Sequence, residues 1–151
     1  MGPQDIGCDR ERRKFHEGLT AALAKFAEAH FALSRPDPKT GKTRLRILHE
    51  IREQTGVVAP ELKALPRLPF GSEHIWQWYN DPDGRRTSGF SIHPLTWADI
   101  HSYFTMLRVR PQSWEVRALV TIDDHFIASR INPVASTVKG AKALRRGIKG
   151  E

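Results

Sequence analysis

The sequence predicts an all-α protein, a small helical bundle of about four to five helices with a long irregular loop and a basic, flexible C-terminal tail. Apolar residues recur at the three- and four-residue spacings of amphipathic helices. Helix-capping residues stand before several of these runs, and alternation of apolar and polar residues never persists beyond a few positions. Helices packed on helices are therefore the architecture that the pattern favours.

Length and composition favour one domain with mobile ends. The chain has 151 residues, of which 39% are hydrophobic, which is enough for one modest core. We expect a disordered N-terminus over 1–8, a single helical domain over 9–130 and a basic tail over 131–151. No apolar run is long enough to span a bilayer, and the first residues lack the order of a signal peptide. These features predict a cytoplasmic protein without a membrane partner.

Positive charge is concentrated at the C-terminus. The formal net charge is +7, and the last thirteen residues carry five basic side chains against Glu151 alone, a net +4. We expect this tail to give at most salt-dependent, non-specific attraction to nucleic acid. The candidate phosphate contacts are Lys139, Lys142, Arg145 and Arg146.

The first predicted helix covers 9–33, with Asp9 as its N-cap. One face repeats apolar residues at helical spacing. That face consists of Phe15, Leu19, Ala22, Leu23, Phe26 and His30. The segment 34–42 contains two prolines and a glycine, so it predicts a linker before a core region over 43–129.

A second helix is predicted over 43–55. Its apolar stripe is Leu45, Leu48 and Ile51, and Gly56 stands where a left-handed C-terminal residue is expected. The segment 57–69 then contains three prolines, so we expect a single helical turn starting at Pro60 and an extended remainder.

All four tryptophans fall between Phe70 and Ile127. Because each large aromatic buries about 150–250 Å², this region is predicted to hold the core. Ser72 is the expected N-cap of a helix over 73–79. Residues 80–84 should end this helix, and a surface loop is expected over 85–93. The predicted aromatic core is Trp76, Tyr79, Trp97, Phe104 and Trp114.

Two further helices are expected after the loop. Thr96 and Asp99 form a capping box before a helix over 97–107. The last helix should end near Ser129. Asp123 falls on its apolar face, and a buried carboxylate needs a partner, for which an arginine or a tryptophan N–H is the candidate.

No residue pattern predicts an enzyme, a metal site or a cofactor. Of the seven histidines, His74, His93, His101 and His125 lie on different predicted elements without metal-ligand spacing. The triplet 41–43 resembles the end of a phosphate-binding loop but lacks the required upstream glycine, so a turn is favoured.

DNA binding is the alternative function. The predicted helices 97–107 and 113–129, joined by a short turn, match helix-turn-helix geometry. Arginines stand in the turn and early in the second helix: Arg108, Arg110 and Arg117. Acidic residues on the second helix, and Trp114 at its start, argue against base reading.

Several motifs together resemble the small tail assembly chaperones of long-tailed bacteriophages and prophages. The resemblance covers about 43–128, with Ser113 where the family usually has proline. The motifs are Gln54-Thr55-Gly56, Pro60-Glu61-Leu62, His74-Ile75-Trp76-Gln77-Trp78-Tyr79, Pro94-Leu95-Thr96-Trp97-Ala98-Asp99-Ile100 and Arg110-Pro111-Gln112-Ser113-Trp114-Glu115-Val116-Arg117-Ala118-Leu119 with Ile122-Asp123.

This resemblance implies a non-enzymatic protein that binds the tape-measure protein during tail assembly in the cytoplasm of the bacterial host. It implies absence from the mature virion, and it allows contact with the major tail protein and self-association. The expected partner-binding face lies on the first two helices, with packing on the tryptophan core as the equal alternative. Its residues are Phe15, Leu19, Leu23, Phe26, Leu45, Leu48 and Ile51.

Overall fold

The computed structural model describes residues 5–83 and 92–131. These residues form six helices and no strand, which confirms the predicted all-α bundle. The helices are α1 (Asp5–Leu33), α2 (Arg44–Thr55), α3 (Pro60–Lys63), α4 (Glu73–Asp83), α5 (Trp97–Leu107) and α6 (Ser113–Ile131). The tail contacts expected at Lys139, Lys142, Arg145 and Arg146, and most of the loop predicted over 85–93, lie outside the described residues.

The core lies where α6 packs along α1 and against α4, with further side chains from α5. Its most buried large residues come from α1, α4 and α6: Leu23, Ile75, Tyr79, Leu119 and Ile122. Burying one such side chain contributes about 1.5–3 kcal/mol, so these residues hold α1, α4 and α6 together. No helix among the described residues is both long enough and apolar enough to cross a membrane.

Helix α1 begins at Asp5, four positions before the predicted N-cap Asp9. The sequence predicted disorder for residues 5–8, whereas the structure has them in the first turns of α1. After Pro3 the sequence contains no proline until Pro36, so no residue in that span lacks the N–H that a helix requires. Gly7 costs the first turns about 1 kcal/mol relative to alanine, which does not prevent the helix from extending.

Helix α2 has both predicted end signals. The Thr43 hydroxyl accepts a hydrogen bond from the Arg46 N–H, and Gly56 closes the helix with a left-handed φ of 71°. Pro60 starts the single turn of α3, as predicted. Leu48 is buried, but α2 contributes no residue to the main core.

Exposed ion pairs stabilise this outlying part of the fold. Glu50 pairs with Lys42 at 3.0 Å and with Arg46 at 3.1 Å. The Arg44 guanidinium donates to both carboxylate oxygens of Glu61 and holds the pKa of that carboxyl below its usual value. Exposed pairs of this kind contribute little to stability, so α2 is attached less firmly than the core helices.

Helix α4 continues through Asp83, past the predicted end at Tyr79. Pro82 lies in its last turn, where a proline removes one backbone hydrogen bond without interrupting the turns before it. The Asn80 side-chain amide donates to the Trp76 carbonyl at 2.9 Å. Ser72, the predicted N-cap, directly precedes the helix, and its buried hydroxyl donates to the Pro69 carbonyl at 2.7 Å.

Helix α5 begins with the predicted capping box. The Thr96 hydroxyl accepts from the Asp99 N–H at 3.1 Å, and the Asp99 carboxylate accepts from the Thr96 N–H at 3.0 Å. The helix ends at Leu107, and α6 follows after five residues.

Candidate partner-binding surface

An open apolar groove of about 820 Å³ lies between α5 and the start of α6. Ile100 and Phe104 of α5 form its floor together with Val109 and Val116. The Trp97 side chain stands at one end and is 68% exposed. We call this feature the Trp97 groove.

Four of the residues that line the groove lie on one side of α5 because of their helical spacing. Trp97, His101, Phe104 and Arg108 follow one another at three- or four-residue steps, so they share a face. From Trp97 to Arg108 the chain rises about 16 Å, or three helical turns. The groove therefore has the length of a short helical segment.

The groove is basic wherever it carries an ionisable side chain. His101, Arg108 and Arg110 line it, and no carboxylate does. Within the described residues, neither arginine side chain forms an ion pair. The arrangement combines an apolar floor with positive charge near the arginine end.

Arg108 has an unusual backbone conformation. Its φ of 53° is the single positive value at a non-glycine residue in 5–83 and 92–131. The Arg108 N–H closes α5 by donating to the carbonyls of Phe104 and Thr105. Glycine is the usual residue at such a position, and the left-handed conformation costs another L-residue about 1 kcal/mol.

Two side-chain bonds hold α5 in place on the bundle. The buried Asp123 carboxylate of α6 accepts from the Leu95 N–H at 2.7 Å. The Tyr103 hydroxyl donates to Asp81 of α4 at 2.7 Å, and burial together with this bond raises the pKa of Tyr103 to about 12. One partner of Asp123 is thus a backbone amide, a class that the sequence did not suggest.

Comparison with known families decides what kind of protein carries this groove. A family described as phage tail assembly chaperone matches residues 51–128, more than half of the chain. The chain belongs to the phage tail assembly chaperone family. The family is generally non-enzymatic. No curated protein and no solved structure matches the chain significantly.

The part that matches the chaperone family contains the whole Trp97 groove and excludes α1. The predicted resemblance over 43–128 is thus confirmed for all but its first eight residues. A surface that serves the function of this family is expected within the matched residues. The groove meets that condition, whereas Phe15 and Leu19 do not.

The observed aromatic core differs from the predicted one at Trp97. Tyr79 and Phe104 are buried, and Trp76 and Trp114 are half-buried against the core. Trp97 is mainly exposed, so its assignment to the core is wrong. It is the first residue of α5, and the buried side of this helix begins one turn later, at Ile100.

The predicted partner-binding face divides into two groups. Three of its residues are buried inside the chaperone and are not available to a partner: Leu23, Phe26 and Leu48. The reason on α1 is that α6 packs along the same stripe. Four residues keep exposed or half-buried side chains: Phe15, Leu19, Leu45 and Ile51.

The packing of α6 disfavours the DNA-binding alternative. The Trp114 ring stacks on His16 of α1 with centroids 4.3 Å apart and planes 6° from parallel. Glu115 contacts His74 of α4 at 2.8 Å. The first turn of α6 is therefore engaged by two other helices, whereas a recognition helix presents its N-terminal residues to the major groove.

The other two sequence alternatives gain no support from the described residues. The triplet 41–43 lies in a turn, where the Gly41 N–H donates to the Asp37 carbonyl and Lys42 pairs with Glu50. No group of three or more potential metal ligands occurs among the residues that the structure describes.

The sequence indicated Arg108 and Arg110 only as possible DNA contacts. Their place beside the apolar floor was not predictable from the sequence, because the turn between α5 and α6 brings Val109 and Val116 to the groove. Their sequence signal is weak. Trp97 at the first position of a capped helix was the available sign of a side chain near the edge of the core.

Proposed function

We propose that this chain is a tail assembly chaperone that binds the tape-measure protein during tail morphogenesis and catalyses no reaction. The binding surface is the Trp97 groove. The observation that carries the proposal is a largely exposed tryptophan beside an apolar groove, inside the part of the chain that matches the chaperone family.

The dimensions of the groove support a helical ligand. A tape-measure protein exposes apolar helical surface until the tail tube encloses it, as the family resemblance implies. Amphipathic helices bind in hydrophobic grooves through residues at three- and four-residue spacing. The three turns of α5 between Trp97 and Arg108 provide a groove of matching length.

Trp97 is the expected anchor of this interface. Interface hot spots are enriched in tryptophan and arginine, and truncating one costs about 2 kcal/mol or more. An exposed tryptophan gains the most on binding because little of its surface is buried beforehand. Trp97 therefore contributes more to binding than to folding.

The proposal includes the surroundings in which the chaperone acts. It works in the cytoplasm of the bacterial host and is absent from the mature virion. The major tail protein is a second candidate partner, and two copies of the chaperone are candidates for self-association. The basic tail attracts nucleic acid only non-specifically.

Co-purification with fragments of the tape-measure protein from the same phage tests the proposal. Trp97→Ala should reduce capture by about 30-fold, the equivalent of 2 kcal/mol, while the helical circular dichroism spectrum is unchanged. The matched control is Phe15→Ser with Leu19→Ser, which alters the exposed part of the α1 face. We expect that variant to keep its affinity.

The opposite pattern contradicts the assignment of the surface. Loss of capture only in the Phe15 and Leu19 variant would place the binding face on α1. Failure of the unmodified chaperone to capture any tape-measure fragment would contradict the partner. A mobility shift of duplex DNA at physiological salt that requires Arg108 and Arg110 would support the DNA-binding alternative instead.

A further inference from the structure

We infer that the Trp97 groove selects an amphipathic helix with carboxylates beside its apolar stripe, placed to meet Arg108 and Arg110. This inference rests on the proposed function for the same groove. It adds the chemistry and the direction of the partner segment.

The ionisable residues that line the groove favour an acidic partner. They are His101, Arg108 and Arg110, without a carboxylate among them. An apolar ligand needs none of these groups, whereas a flanking Asp or Glu gains a charge-assisted hydrogen bond to each guanidinium it reaches. Complementary charge at the edge of an interface mainly sets partner choice.

Arg108 gives a second, independent reason. Its backbone N–H caps α5, whereas its guanidinium forms no ion pair with the residues that the structure describes. Glycine would close the helix with less strain. The Arg108 side chain is therefore available to a ligand, and binding a carboxylate is the role that we assign to it.

Neither of the two longer stretches outside the described residues is a suitable occupant. Residues 84–91 include Arg85 and Arg86 and no acidic residue. Residues 132–151 carry five basic side chains against Glu151. Both stretches have the same sign of charge as the groove, which disfavours them as ligands and points to another molecule.

The groove also has a direction. Trp97 stands at one end and the two arginines stand near the other, about 16 Å away along α5. The bound helix should therefore place a large apolar side chain against Trp97 and its carboxylates about three turns away. Nucleic acid shares the attraction to the arginines, but the apolar floor of Ile100, Phe104 and Val116 gives phosphates no partner.

Binding of designed peptides tests the inference. The probe is a fluorescein-labelled, three-turn amphipathic helix with leucines at helical spacing and glutamates at one end. Matched peptides carry lysines in place of those glutamates, or the glutamates at the opposite end. Fluorescence anisotropy with the full-length chaperone should give about tenfold tighter binding of the first peptide than of the lysine peptide, and the preference should shrink with added salt.

Charge reversal in the chaperone provides the control. Arg108→Glu with Arg110→Glu should reverse the preference in favour of the lysine peptide. Trp97→Ala should weaken the binding of both peptides. Equal binding of the acidic and lysine peptides would overturn the inference. So would tighter binding of duplex DNA than of the acidic peptide through the same arginines.

The peptide result is separable from the proposed function. If peptides discriminate by charge but no tape-measure fragment is captured, the chemistry of the groove stands and the assigned partner fails. If tape-measure fragments are captured equally well by the unmodified chaperone and the charge-reversed variant, the partner stands and the inference fails.

Discussion

Asp123 in the middle of α6 accepts a hydrogen bond from the backbone N–H of Leu95, with 2.7 Å between Oδ2 and the nitrogen. Asp123 is only 3% exposed, so this bond helps offset the cost of burying a carboxylate. Leu95 lies two residues before Trp97, the first residue of α5. The bond therefore fixes the start of α5 relative to α6 and, with it, the width of the Trp97 groove.

Asp123→Ala should lower the free energy of unfolding by about 1.5–3 kcal/mol, the range for losing a hydrogen bond to a charged group. Asp123→Asn keeps a side-chain oxygen that can accept from Leu95 and should lose less. Urea denaturation of both variants provides the measurement. Equal loss in the two variants would indicate that the charge, and not the bond to Leu95, stabilises this region.

Thr96→Ala should cost about 1 kcal/mol because it removes the hydroxyl that caps α5. The control on the same helix is Thr105→Ala. Thr105 is exposed, and its hydroxyl bonds a carbonyl within the helix, so its loss should stay within about 0.5 kcal/mol. Thermal denaturation compares the two variants, and a larger loss at Thr105 would contradict the importance of the cap.

Arg108→Gly should affect folding and binding in opposite directions. Removing the side chain relieves the left-handed conformation and should raise the free energy of unfolding by up to about 1 kcal/mol. The same change should weaken binding of the acidic peptide. Arg110→Gly is the control, because Arg110 does not have a positive φ and glycine there only adds freedom to the unfolded chain. A destabilised Arg108→Gly variant would show that the arginine serves the fold.

Stability should fall on mild acidification because of His30. This histidine lies 5.2 Å from the Trp76 ring, measured between centroids, and burial lowers its pKa from 6.5. The neutral form is favoured in the folded state, so the unfolded chain binds more protons below pH 6.5 and stability decreases as pH falls through the lowered pKa. Above pH 6.5 the effect vanishes.

Urea midpoints at pH 7.5 and pH 5.5 measure this effect, with His30→Gln as the comparison. The glutamine variant should lose less stability than the original chain over the same interval. All other titrating groups are shared by the two proteins, so the difference reports His30. An identical loss in both would show that His30 does not cause the acid sensitivity.

Local signals predicted the helices well. The capping box of Thr96 and Asp99, the left-handed Gly56 and the turn started by Pro60 depend on neighbouring residues alone, and the sequence contains that information. Pro82 was misleading because its effect depends on its position within the helix. In the last turn a proline does not interrupt the preceding turns, and α4 extends to Asp83.

Tertiary contacts were harder to predict. An apolar stripe such as that of Leu23 and Phe26 shows that one side of α1 must be covered, but not whether α6 or another protein covers it. Periodicity likewise gave the direction of Trp97 on α5 without showing that the core ends at Ile100. The groove itself joins residues from a helix, a turn and the next helix, and this combination has no signature in the sequence.

Site-specific photocrosslinking tests the central claim most directly. A photoreactive phenylalanine analogue replaces Trp97 in one chaperone variant and Phe15 in another, and each is co-expressed with the tape-measure protein of the same phage. We predict a crosslinked adduct with the tape-measure protein from position 97 and none from position 15. An adduct from position 15 without one from position 97 would contradict the assignment of the binding surface to the groove.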